Sequence, residues 1–253
     1  MGTATFWEFP WLMLPAAAIF TVALLYSSVG HGGASGYLAV MSLFSMAPAA
    51  LKPSALVLNI FVSAVAAWKF HQAGYFSLAR LWPFAITSIP LAYWGGTMTL
   101  PPHFYRPLVG AVLLFSAARL LMRPAIDPVP LRDPPRFPAL AWGGLFGLLS
   151  GLTGVGGGIF LSPLLIFKKW SGLREASATA AVFILVNSIA GLLGQMRNIP
   201  ALPGCTPWLA LGALAGGVIG AQCGSRRLSL PVISRILAVV LTLAGLKLLM
   251  IPL

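Results

Sequence analysis

Long apolar segments follow one another along almost the whole chain, and they constrain its fold more than any other feature. Apolar periodicity and helix-breaking residues separate these segments. They cover residues 11–29, 33–48, 54–70, 81–99, 105–122, 139–153, 157–169, 176–196, 207–223 and 232–250. A helix needs about 20 apolar residues to cross the hydrocarbon core of a bilayer. The sequence therefore predicts an all-α, polytopic membrane protein of about ten transmembrane helices, with a short or broken second and seventh helix.

The composition agrees with this interpretation. Of the 253 residues, 58% are hydrophobic and only 8% are charged, whereas a soluble domain carries about 25% charged residues. A net charge of +12 would indicate nucleic-acid binding in a soluble protein. Here the basic residues cluster at the ends of apolar segments, which is typical of cytoplasmic loops beside anionic lipid headgroups. The expected partners are therefore the lipid bilayer and a small solute, and not nucleic acid.

The second half of the chain repeats the first. A constant shift places Asn59 on Asn187 and Lys69 on Arg197, and a slightly shorter shift aligns the glycine clusters of the two halves. We therefore divide the chain into a first five-helix repeat at 1–122, a cytoplasmic linker at 123–138 and a second five-helix repeat at 139–253.

The basic residues also predict an orientation. If every segment spans and the N-terminus is outside, most Lys and Arg residues face the cytoplasm. Those left outside are Lys52, Arg106, Arg197 and Lys247. If the second and seventh segments re-enter instead, the charges divide evenly between the two sides, so we prefer the spanning model. Each half then has an odd number of spans, which predicts two inverted repeats, as in many transporters.

A glycine-rich turn joins the first and second segments of each half. One turn reads Gly30-His31-Gly32-Gly33-Ala34-Ser35-Gly36, and the other reads Gly151-Leu152-Thr153-Gly154-Val155-Gly156-Gly157-Gly158. Non-helical backbone is tolerated at membrane depth only where protein or a wet cavity covers it. We expect each turn to reach toward the midplane and to start its short helix there. Because the halves are inverted, the two helix N-termini would then meet.

A helix N-terminus presents free N–H groups and a partial positive charge, and it binds anions without Lys or Arg. We therefore predict a site for a small oxyanion, with no catalytic residue, metal or cofactor. Its predicted residues are Gly30, His31, Gly32, Gly33, Ser35, Asn59, Thr153, Gly154, Gly156, Gly157, Gly158 and Asn187.

Two alternatives concern these residues. His31 matches Val155 in the repeat, so it either gates protons or donates to the ligand, or has only a local packing or hydrogen-bonding role. The glycines as a group either form the site or only let helices cross closely. Close crossing is our interpretation of two other glycine series with four-residue spacing. They are Gly143, Gly147 and Gly151, and Gly212, Gly216, Gly220 and Gly224.

The pattern resembles the TauE/SafE family of sulfite-exporter-like permeases, whose duplicated halves carry glycine-rich signatures. The similar stretches run from Val29 to Gly33 and on to Asn59, from Gly151 to Gly158, and from Ala176 to Ala180. The likeness covers nearly the full chain. It implies transport of sulfur-containing anions, such as sulfite, thiosulfate or organosulfonates, across the bacterial inner membrane.

The sequence has no ATP-binding motif, so a gradient is expected to drive transport. A cytoplasm-negative potential is worth about 2.3 kcal/mol per charge per 100 mV, which favours export of an anion. We expect a carrier with alternating access. The alternatives are an anion channel of the same fold, a membrane-embedded enzyme, and a structural subunit. Three scattered His and four Asp or Glu residues argue against the enzyme.

Overall fold

The computed structural model describes residues 12–121, 133–196, 202–224 and 231–250. These residues form ten helices and no strand. The helices are α1 (Met13–Ser28), α2 (Ala34–Leu43), α3 (Pro48–Gln72), α4 (Leu78–Thr97), α5 (Pro102–Leu121), α6 (Arg136–Thr153), α7 (Gly158–Phe167), α8 (Leu173–Gly194), α9 (Thr206–Gly224) and α10 (Pro231–Met250). The predicted all-α class is confirmed, and each predicted segment corresponds to one helix.

The largest difference in a boundary is at the start of α3. We predicted that this helix begins at residue 54, but it begins at Pro48 and continues through Pro53. Pro48 is tolerated because the first turn of a helix has no intrahelical partner for its N–H groups. As a result Lys52, which we assigned to the outer loops, lies inside a helix.

The second and seventh helices are short, as predicted. Both α2 and α7 have 10 residues, which corresponds to a length of about 15 Å, half the thickness of a hydrocarbon core. Each is followed by a residue other than glycine in the left-handed region, Ser45 with φ 60° and Lys169 with φ 57°. The two short helices therefore end in the same way. α2 ends at Leu43, before the predicted residue 48.

The long helices α3 and α8 hold the centre of the molecule. They are the two described helices that are long and apolar enough to cross a membrane by length and composition. They pack against each other, with a Cβ on Gly191 of α8 lying 3.5 Å from the side chain of Leu56 of α3. Both helices are largely buried by their neighbours.

The packing of the other helices follows the duplication. α1 packs on α9 as α6 packs on α4, α3 packs on α9 as α8 packs on α4, and α2 packs on α3 as α7 packs on α8. Each relation is kept when the halves are exchanged. Because α1 and α4 each pack on helices of the other half, the two halves interlock. Of the predicted linker, residues 123–132 lie outside the described part and 136–138 begin α6.

Glycines of both series with four-residue spacing lie at close helix crossings, as predicted. A Cβ on Gly143 or Gly147 of α6 would overlap a backbone carbonyl oxygen of α4. On α9, a Cβ on Gly216 or Gly220 would overlap a carbonyl oxygen of α1. Small residues let the two backbones approach, which is how helices associate in a membrane.

The α4–α6 crossing can be tested with Gly147→Leu. A side chain there would overlap the Ser88 carbonyl oxygen, and overpacking of this kind costs about 1–3 kcal/mol. We expect a lower thermal unfolding midpoint in detergent. The control is Gly204→Leu, because a Cβ on Gly204 would meet nothing within 4 Å. Equal midpoints for the two variants would contradict the assigned packing role.

Candidate functional site

The two short helices start at glycines that no side chain caps. α2 begins directly after Gly33, which has φ 98°, and α7 begins directly after Gly157, which has φ 78°. Glycine enters this left-handed region without steric cost because it lacks a Cβ. Neither N-terminus has a hydrogen bond from a capping side chain. The chain thus turns sharply into each helix and leaves the first amides uncovered.

These first amides have no protein acceptor. Among the described residues, nothing accepts from the N–H groups of Ala34 and Ser35 in α2 or of Gly158 and Ile159 in α7. Such groups give a helix N-terminus about half a positive charge. A negatively charged oxygen is the ligand that satisfies both the free donors and the charge.

The two glycine turns meet on one side chain, that of Asn59 of α3. A Cβ on Gly32 of the first turn would overlap Asn59 Oδ1, and a Cβ on Gly156 of the second turn would overlap Asn59 Nδ2. Asn59 therefore lies between the backbones of turns from different halves. The structure thus brings both turns to one residue, and the space that Asn59 occupies explains why positions 32 and 156 have no side chain.

α8 closes the other side of this centre through Ile184. Its Cγ2 lies 3.0 Å from the Cβ position of Gly32 and 2.9 Å from that of Gly156. Asn187 lies three residues further along α8 and therefore shares the face of Ile184. Its neighbour Ser188 has its hydroxyl oxygen 3.2 Å from the Cβ position of Gly156. Both long helices thus present an asparagine at the level of the turns.

The two asparagines differ in their hydrogen bonds. Asn59 Nδ2 donates to Ser188 Oγ at 3.1 Å and to the Val155 carbonyl oxygen at 3.4 Å, whereas its Oδ1 has no partner. Neither side-chain atom of Asn187 has a partner among the described residues. Both residues are 0% exposed. Buried polar groups are nearly always paired, and leaving one unpaired costs about 1–3 kcal/mol. These amides therefore indicate an additional group at the centre.

The hydroxyls predicted as donors are engaged within the protein. Ser35 Oγ and Tyr26 Oη share a hydrogen bond of 2.8 Å. Thr153 Oγ1 donates to the Leu149 carbonyl oxygen at 2.7 Å and accepts from the Val155 N–H at 3.3 Å. Both side chains hold the ends of their helices in place.

His31 lies at the edge of the first turn. It is half-buried, with Nδ1 3.0 Å from the Val29 carbonyl oxygen. Its ring stands edge-on to that of Tyr26, with the ring centroids 6.4 Å apart. These contacts account for the local role that we left open for His31.

The outer glycines of the two turns pack against long helices of the opposite half. A Cβ on Gly30 would lie 2.6 Å from the Cβ of Ser177, near the start of α8. A Cβ on Gly154 would lie 3.2 Å from Cγ of Lys52, near the start of α3. Both glycines have positive φ, 74° and 83° respectively. Both glycines allow the turns to lie close to these helices.

Sequence reasoning missed three residues that shape the centre: Ser188, Tyr37 and Lys52. Ser188 holds Asn59, and Tyr37 Oη donates to the Gly32 carbonyl oxygen at 2.7 Å. No pattern separates Ser188 from the many other serines of the chain. For Lys52 a signal existed, because a lysine followed by proline interrupts an otherwise apolar stretch.

Four polar features lack a hydrogen-bond partner among the described residues. They are the backbone amides at the starts of α2 and α7, the Asn187 side-chain amide and Oδ1 of Asn59. Within the described ranges, no group of His, Cys, Asp or Glu residues is arranged to hold a metal ion.

Comparison with known proteins identifies the family of this chain. The family model "Sulfite exporter TauE/SafE" matches residues 15–248. A probable membrane transporter protein of Sinorhizobium fredii is 42% identical over 238 residues, which cover 92% of this chain and 96% of that protein. A probable membrane transporter protein of Methanocaldococcus jannaschii is 29% identical over 114 residues, 44% of this chain and 42% of that protein. No solved structure matches. The chain therefore belongs to the TauE/SafE family and is a membrane transporter.

Proposed function

We propose that this transporter exports a small sulfur-containing oxyanion, such as sulfite, thiosulfate or an organosulfonate, across the inner membrane. The family's description supplies the sulfur chemistry. One observation carries the proposal: the two uncapped glycine turns, which start α2 and α7, meet on the buried Asn59. We assign the anion to this centre, where it would accept from the free amides of both helices.

The polar groups at the centre suit a small oxyanion. A sulfur oxyanion has several oxygens around one atom, so it can accept hydrogen bonds from different directions. The free amides of α2 and α7 and Nδ2 of Asn187 are unused donors. Burial strengthens each of these interactions because water does not compete there. Asn59 and Asn187 are 0% exposed, which agrees with an occluded state of a carrier.

Two contacts between distant segments support the spanning, inverted orientation of the halves. Arg174 Nη1 donates to Tyr75 Oη at 2.7 Å, and the spanning model places both residues on the cytoplasmic side. Lys247 Nζ donates to the carbonyl oxygens of Ser42 at 2.8 Å and Leu43 at 3.0 Å, all of them outside in that model. Re-entry of both short segments would place the members of each pair on opposite sides.

The membrane potential supports the direction of export. A cytoplasm-negative potential of 100 mV contributes about 2.3 kcal/mol to the outward movement of each negative charge. Of the described acidic residues, Asp133 is exposed and precedes α6, and Glu175 Oε2 accepts from the Gly172 N–H at 2.6 Å. The described residues therefore supply no carboxylate to the centre for a coupling cation.

The direct test is anion flux in vesicles reconstituted with the purified protein. We expect efflux of radiolabelled sulfite that saturates with sulfite concentration and is faster when the vesicle interior is negative. We also expect labelled sulfite inside the vesicles to exchange with unlabelled sulfite outside. Protein-free vesicles are the control. Flux of sulfite, thiosulfate and methanesulfonate no faster than in that control would overturn the proposal. Flux that neither saturates nor exchanges would instead identify an anion channel.

A substitution of Asn187 can distinguish a binding role of this residue from a structural one. Because its amide has no protein partner, Asn187→Leu removes an unpaired buried polar group, and we expect unchanged or higher thermal stability. We also expect at least a tenfold loss of sulfite flux, since the loss of one hydrogen bond to a charged group costs about 1.5–3 kcal/mol. The comparison is Asn59→Leu, which breaks bonds to Ser188 and Val155 and should lower stability as well. Wild-type flux in Asn187→Leu would contradict the assigned site.

The orientation can be tested by cysteine labelling in a background without Cys205 and Cys223. Gln72 is the exposed last residue of α3, and Gly204 is exposed two residues before α9 begins. In intact cells we expect a membrane-impermeant thiol reagent to label Gly204→Cys. Gln72→Cys should react only after the cells are permeabilised. Labelling of Gln72→Cys in intact cells would refute the spanning model.

A further inference from the structure

Lys52 is a buried cation close to the centre. It is 5% exposed, and it is the only buried one among the lysines and arginines whose side chains the structure describes. Burying an ammonium group in apolar surroundings is costly unless it is paired. Its surroundings therefore determine what this charge can do.

The ammonium is held entirely by backbone oxygens at the end of α4. Lys52 Nζ donates to the carbonyl oxygens of Gly95 at 3.1 Å, Gly96 at 3.2 Å and Met98 at 3.1 Å. These bonds use all three N–H groups of the ammonium. Lys52 therefore cannot donate directly to a ligand without leaving α4.

The charge is not neutralised within the described part of the protein. The C-terminal end of a helix carries only about half a negative charge, which leaves a net positive charge at Lys52. Asp133 is exposed ahead of α6, and Glu175 bonds the Gly172 N–H. Neither carboxylate pairs with Lys52, because carbonyl oxygens hold its ammonium.

Lys52 also contacts the second glycine turn. Its Cγ lies 3.2 Å from the Cβ position of Gly154. Asn59 follows two helical turns later on α3, about 10 Å along the helix axis. A charge at this range in a protein interior is screened much less than one in water.

We propose that Lys52 is the counter-charge of the anion site and attracts the anion through space while it remains bound to the end of α4. This inference rests on the proposed function. The equivalent contact in the other half is made by Ser177 against Gly30, so the duplication supplies one fixed positive charge and not two. The site would therefore be neutral when it holds a monovalent anion and would carry one negative charge with a divalent anion.

The effect of a through-space charge on binding depends on the charge of the ligand. The effect of a purely structural residue is the same for ligands of different charge. For a separation of about 10 Å and an effective dielectric constant of about 20, loss of the charge weakens the binding of a monovalent anion about tenfold. The same loss weakens the binding of a divalent anion about a hundredfold, because the Coulomb energy doubles.

The experiment measures how anions compete with labelled sulfite in reconstituted vesicles. Methanesulfonate is the monovalent competitor and sulfate the divalent one. In Lys52→Gln, we expect the inhibition constant of methanesulfonate to rise about tenfold and that of sulfate about a hundredfold. Lys52→Arg keeps the charge and should keep the wild-type ratio of the two constants.

Lys247→Gln is the matched control. Lys247 also caps backbone carbonyls, those of Ser42 and Leu43, but it is half-exposed. We expect wild-type inhibition constants in this variant. Equal losses for both anions in Lys52→Gln, or the same charge dependence in Lys247→Gln, would overturn the inference.

Two further results remain interpretable. If Lys52→Gln does not fold, Lys52→Met, which is also uncharged, takes its place. A larger rise of the inhibition constant for sulfate than for methanesulfonate in Lys52→Met, with the wild-type ratio kept in Lys52→Arg, supports the inference. Equal rises for both anions in Lys52→Met contradict it. If the wild-type protein moves no sulfite, thiosulfate or methanesulfonate, the proposed function fails and this inference fails with it. Sulfite flux without charge dependence would leave the function standing and remove only the role of Lys52.

Discussion

The contact of both glycine turns with Asn59 is the constraint on which the rest of the structure depends. Backbone that leaves helical geometry inside an apolar protein must be covered, and here the turns cover each other across one amide. Turns from two halves can reach the same side chain only if the halves interpenetrate. The packing of α1 on α9 and of α6 on α4 achieves this, and the glycine series in α6 and α9 bring those helices close enough.

Glycine has different physical roles at neighbouring positions of the same turn. At Gly33 and Gly157 it provides the positive φ that starts a helix without a cap. At Gly32 and Gly156 it leaves space for Asn59. The close-packing interpretation therefore applies to Gly32 and Gly156, whereas the proposed anion site uses the uncapped helix starts after Gly33 and Gly157.

The buried polar groups divide into those that hold the structure and those that remain free. Tyr26, Thr153 and Ser188 complete hydrogen bonds within the protein, and Lys52 ends on carbonyl oxygens. Asn187, also buried, has no partner among the described residues. A transporter needs this division, because a group that must bind and release a solute cannot also be committed to holding its helices.

The sequence by itself determined the helices, the short second and seventh segments, the duplication and the family, because apolar periodicity and glycine clusters are local patterns. It did not determine the start of α3, because Pro53 predicts a break in the sequence whereas the helix continues through it. It also placed Lys52 with the loop charges. Asn59 and Asn187 are equivalent in the repeat, yet one is hydrogen-bonded and the other is not. Only the tertiary structure decided this, because a duplicated sequence gives both halves the same residue, whereas packing determines which neighbour each residue meets.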